Sequence, residues 1–191
     1  MHWDDALGHL FEDLEQQAEG LRLADRDAEI AERIVAEYAE VDLASRLHAS
    51  AGSVIWLDVL GTGAVGGNLA RIGRDWCLLE GTAGLGGAGQ EWIIRLDAVR
   101  RAQGLSDRAV SEPARGVATR LGLGSALRTV GESRAPVVVH HLDGAQTTGV
   151  LARVGADFVE IRPAGTDGES RRGAVPTDLV PFAALGGAHP I

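Results

Sequence analysis

The sequence predicts an α+β fold that is mainly β in its body: an acidic helical arm, then two tandem small β-barrels, each preceded by a short helix. Three observations predict it. Gly67-Asn68-Leu69-Ala70-Arg71-Ile72-Gly73-Arg74-Asp75-Trp76 returns 82 positions later as Gly149-Val150-Leu151-Ala152-Arg153-Val154-Gly155-Ala156-Asp157-Phe158, with six of the ten positions identical. A period this long marks a duplicated domain rather than a solenoid unit. Apolar spacing is helical in the first 47 residues and strand-like from residue 54 onward. Charge divides in the same way: residues 1–47 hold 13 acids against four arginines, which is the whole net charge of −9, and the rest of the chain is neutral.

The arm, 1–47, contains no proline, and Trp3, Leu7, Leu10, Leu14 and Leu21 follow i, i+3/i+4 steps with Phe11 beside them. Ile30, Ile34, Tyr38 and Val41 resume the stripe. A glycine inside a helix costs about 1 kcal/mol, so Gly20 leaves two forms open: one long helix, or a hairpin broken near 20–26. The first barrel, 48–103, has β-rich runs at 54–60, 69–72, 76–79 and 92–96, with 61–67 read as a turn and 81–89 as a glycine-rich loop. Residues 104–116, with Gly104, Ser106, Ser111, Pro113 and Gly116, read as the linker. A short helix and the second barrel fill 117–188. Its runs are 136–142, 148–154 and 158–161, with Asp143-Gly144 as a hairpin signal, a polar loop at 163–173 and a closing segment at 174–180. Strand alternation assigns Cys77 and Leu79, and Val159 and Ile161, to the two cores, which leaves Trp76, Leu78 and Phe158 on an outer face. Asp75 and Asp157 each stand two residues after a glycine, in a turn where a carboxylate bonds local backbone amides.

Little in the chain points to catalysis. Gly61-Thr62-Gly63-Ala64-Val65-Gly66 spells a dinucleotide-binding signature, but that mechanism needs a helix to start there. The repeat instead aligns the segment with the hairpin turn at 143–149. His140 and His141 are adjacent on a strand and point to opposite faces, so they cannot chelate together. The single cysteine, Cys77, excludes an intrachain disulfide and reads as a buried, inert thiol in an apolar strand. No enzyme activity, metal, cofactor or small-molecule substrate is expected. No apolar run is long enough to span a bilayer, and the N-terminus lacks a basic segment followed by an apolar one. A cytoplasmic protein with no membrane partner is therefore expected.

In both copies an apolar strand and a Gly-containing turn lead into Gly-x-Leu, two residues, a β-branched residue, Gly-x-Asp, an aromatic and more apolar strand. This pattern resembles the Sm-like family of small, SH3-like β-barrels, including its bacterial RNA-chaperone branch, over about 54–80 and 136–162. The whole arrangement, from Trp3 through both copies, resembles an uncharacterised actinobacterial family sometimes labelled a transcriptional regulator. The resemblance implies the barrel fold. It carries the RNA-contacting loops less well: where the Sm-like motif has an asparagine, this chain has Leu78 and Glu160. The Tyr-Lys-His signature of the bacterial branch is absent.

These observations lead to a non-catalytic regulatory or scaffolding protein that binds a protein partner or self-associates through its arm and barrel faces. Trp76, Leu78 and Phe158, with Leu10, Phe11 and Leu14 of the arm, are the candidate interface. The alternative is an RNA- or DNA-associated regulator using residues 95–134, where eight arginines stand against four acids. In that reading Arg95, Arg100, Arg101, Arg108, Arg120 and Arg128 contact nucleic-acid phosphates.

Overall fold

The computed structural model describes residues 19–20, 22–23, 26, 29–30, 32–81, 89–111, 116–163 and 177–191. The chain forms two compact units, 1–41 and 42–191. In the first, the described residues are helical up to a last helical run, α1, at 32–39, where Ile34, Val35 and Tyr38 are exposed. The arm residues Leu10, Phe11 and Leu14 lie outside the described residues.

The second unit opens with helix α2 (Leu43–Ala49). Asp42 caps it, with its Oδ1 accepting from the Ser45 amide at 2.6 Å and from the Ser45 hydroxyl at 2.5 Å. The chain then builds β1 (Val54–Val59), β2 (Gly63–Ile72), β3 (Trp76–Glu80), β4 (Glu91–Arg95) and β5 (Val99–Gln103). Helix α3 (Leu123–Glu132) opens the second copy, followed by β6 (Pro136–His141), β7 (Gln146–Val154), β8 (Phe158–Arg162), β9 (Asp178–Pro181) and β10 (Leu185–Pro190).

Among the described residues ten strands pair antiparallel in one sheet of order β5-β1-β2-β3-β4-β10-β6-β7-β8-β9. The fold class is thus mainly β with short helices. Each copy returns its fifth strand to lie beside its first, and the two copies meet where β10 pairs with β4. Irregularities repeat as well as strands. The register slips between Leu69 and Arg71 in β2 and between Leu151 and Arg153 in β7. Gly67 and Gly149 are shared because a Cβ there would run into the carbonyl of the facing strand's end, Glu80 or Arg162.

Each copy has its own core. Leu47 of α2 packs with Ile55, Leu57, Leu69, Cys77, Leu79 and Ile94 in the first. Leu123 and Leu127 of α3 pack with Val137, Val139, Leu151, Val159 and Ile161 in the second.

The structure corrects the sequence reading in two places and shows how the linker packs. Residues 61–67 were read as a turn, yet β2 already begins at Gly63, opposite Val59, so only 60–62 turn. Strand β10 was missed, because Gly186, Gly187 and Pro190 disguise it. The linker after Gln103 is held against the body as far as residue 110. It lies along α2, where the Ser106 amide donates to Ser50 Oγ, the Val110 amide to the Ser45 carbonyl, and Arg46 Nε to the Ser106 carbonyl.

Candidate interaction site

The turn between β2 and β3 holds the copies together by its chemistry. Helix α3 starts after Gly122, which has no side chain to cap it. Asp75 of the first copy supplies the cap, its Oδ1 accepting from the Leu123 amide at 2.7 Å. The Trp76 indole and the Arg74 amide both donate to the Leu121 carbonyl, at 2.9 and 3.0 Å. The carboxylate expected to bond its own turn thus caps a helix 48 residues away.

Alternation along β3 then decides which core each residue joins. Cys77 and Leu79 face the first core, whereas Trp76 is 9% exposed and packs with α3 and the second core, as do Ile93 of β4 and the half-buried Leu78. Beside α3 this face borders an open, largely apolar groove of about 840 Å³, lined by Ile72, Trp76, Leu78, Ile93, Leu127 and Val130 among others.

The matching face of the second copy has a different fate. Phe158 stands in the position of Trp76 and is only half-buried. Glu160 replaces Leu78 and pairs with Arg153 at 2.7 Å. Leu179 of β9 pairs with Glu160 as Ile93 pairs with Leu78, and it is 57% exposed where Ile93 is 8% exposed. The Asp157 side chain makes no hydrogen bond among the described residues; its backbone carbonyl accepts from the Phe182 amide.

No protein family, curated protein or solved structure matches this chain.

The sequence-selected arginines do not share one duty. Arg95 is half-buried and donates to the Phe182 carbonyl across the two copies. Arg100 pairs with Asp58 at 3.0 Å, and Arg128 donates to the Gly155 carbonyl at 3.0 Å. Arg101, Arg108 and Arg120 are exposed. The structure instead brings Arg128 together with Arg134, Arg153 and Arg162 around an open groove of about 620 Å³ on the second copy, with Glu132 at its rim. Of the last three, Arg134 belongs to the arginine-rich stretch 95–134 without having been singled out, and Arg153 and Arg162 were missed because they come from two strands outside it.

Two titratable groups are shaped by burial. Cys77 is fully buried, and desolvation pushes its thiol up to about 12, far from a reactive thiolate. His140 of β6 is buried where the copies join, with its ring centroid 5.1 Å from Trp92 of β4 and 5.2 Å from His189 of β10. Its pKa is lowered by burial first, and then by the neighbouring His189 and His141. Among the described residues no three His, Cys, Asp or Glu side chains are placed to hold a metal, and no helix is long and apolar enough to cross a membrane.

Proposed function

We propose that the chain is a non-catalytic regulatory or scaffolding protein, a tandem pair of Sm-like small barrels that binds a protein partner through the outer face of the second copy. One observation carries this. On the first copy's outer face Trp76 and Ile93 are buried in one cluster with α3, while the equivalent face of the second copy keeps Leu179 exposed and Phe158 half-exposed. Apolar side chains left open on one of two otherwise matching faces mark a place where another molecule packs. The test is a photoreactive amino acid at position 179, irradiated in cells that make the protein. The expected product is a covalent adduct with another polypeptide. Adducts with nucleic acid alone, or none, overturn the reading.

A second reading, nucleic-acid association, is favoured by the groove formed by Arg128, Arg134, Arg153 and Arg162. Two of these arginines already serve Gly155 and Glu160, and the chain's net charge of −9 opposes polyanions. If four single-strand phosphates were neutralised, log affinity would fall against log salt with a slope of about −3. Absence of retention on single-stranded RNA or DNA at low salt excludes it.

A further inference from the structure

The internal junction between the copies is a worked example of what this sheet edge accepts. There β10 lies antiparallel on β4, with Gly187 opposite Ile94 and Ala188 opposite Ile93. Strand pairing makes β9 the counterpart of β4. Trp76 faces Arg95 as Phe158 faces Pro181, which equates Ile94 with Val180 and Ile93 with Leu179. In the same way β5 is the counterpart of β10. Val59 faces Val99 as His141 faces Leu185, which equates Arg100 with Gly186, Arg101 with Gly187 and Ala102 with Ala188.

Among the described residues no strand lies beyond β9, so the outward amide and carbonyl of Leu179 have no ladder partner there, while those of Val180 turn inward to β8. By the internal template, the missing neighbour is an extended strand. Pro181 does not obstruct it: it occupies the position of Arg95, which lies outside the two paired residues of the junction.

The same template shows why the neighbour is not a second copy. The junction depends on backbone approaching backbone. A Cβ on Gly186 would stand 2.6 Å from the Leu60 carbonyl oxygen, and one on Gly187 would stand 3.2 Å from that of Ile93. A Cβ on Gly61 would collide with the His141 carbonyl. At the outer ends these glycines are replaced by Arg100, Arg101 and, by the 82-residue offset, Asp143. Each of the three is exposed. Charged side chains stand where a methyl group does not fit at two positions and fits only tightly at the third, and charges on an edge strand are a recognised block to edge-to-edge pairing.

We propose that the free edge of β9 binds an extended segment of a different protein, added antiparallel, with small uncharged residues opposite Val180 and Leu179, while Arg100, Arg101 and Asp143 bar copies of this chain from the same edge. This deepens the partner-binding reading and rests on it for the identity of the surface.

The probe is a synthetic peptide with the chain's own β10 sequence, residues 184–191, titrated into the intact protein, whose internal β10 already occupies β4. The expected result is saturable binding with amide shifts at Leu179 and Val180 and slowed exchange at the Leu179 amide, the one that turns outward. The same peptide carrying Gly186→Arg and Gly187→Arg should bind at least about tenfold more weakly. Three results overturn the proposal: no change at 179–180 with millimolar peptide, equal binding of both peptides, or self-association of the intact chain that Leu179→Arg abolishes. If position 179 still cross-links to a polypeptide in cells while both peptides fail, the strand-addition idea falls and the partner-binding reading stands. If the peptide binds but no cellular adduct forms, the edge accepts a strand, but the partner-binding reading falls and the different-protein occupant falls with it.

Discussion

Asp75 and Asp157 show how far identical residues can diverge once they meet different neighbours. Both follow the same glycine in the same repeated block, and alternation and turn chemistry assign them the same role. Only Asp75 has a helix N-terminus in front of it, because α3 of the second copy lands there. Asp75→Ala should therefore destabilise the body by about 1 kcal/mol, the usual value of a lost helix cap. Asp157→Ala should change stability by no more than about 0.5 kcal/mol, as for an ordinary surface position. Urea unfolding of the two variants measures both. The asymmetry was not legible in the sequence, since 48 residues separate the carboxylate from the amide it caps. What was legible at this scale was the split of faces along β3, because side chains on a strand alternate whatever the strand packs against.

Among the elements, α3 has the most consequences. Its Leu127 is fully buried in a cluster that also takes in Trp76 and Ile93 of the first copy. Leu127→Ala should cost about 2–5 kcal/mol and, because the cluster spans both copies, should lower a single transition rather than release the second copy alone. Chemical denaturation followed by both tryptophan fluorescence and circular dichroism tests this, with coincident curves expected. The helix was readable from the apolar segment before the second set of strands. Strand β10 was not, because Leu185-Gly186-Gly187-Ala188 lacks β-branched residues; its glycines serve close approach at the junction rather than strand propensity. The four-arginine groove was illegible for a related reason: its members are neighbours only once a helix end and two strands meet.

For the whole molecule, the continuous sheet means that residues 42–191 should melt as one unit, with calorimetric and van't Hoff enthalpies equal. Acid should weaken it at the junction. The folded pKa of His140 lies below its ordinary value of 6.5, so the unfolded chain takes up the proton first. The associated stability is present above about pH 6.5 and is lost as pH falls through the lowered folded value. The melting temperature should therefore drop between about pH 7 and 5, and His140→Phe, which keeps a ring beside Trp92, should lessen that drop.

The central place of β10 also sets a timetable for folding. The strand that joins the copies leaves the ribosome roughly 90 residues after β4. At about 5–20 residues per second, the first copy waits about 5–20 s with its β4 edge uncovered. During that interval the nascent chain is open to wrong pairing at the edge that the finished protein closes, and chaperone dependence should be greatest then.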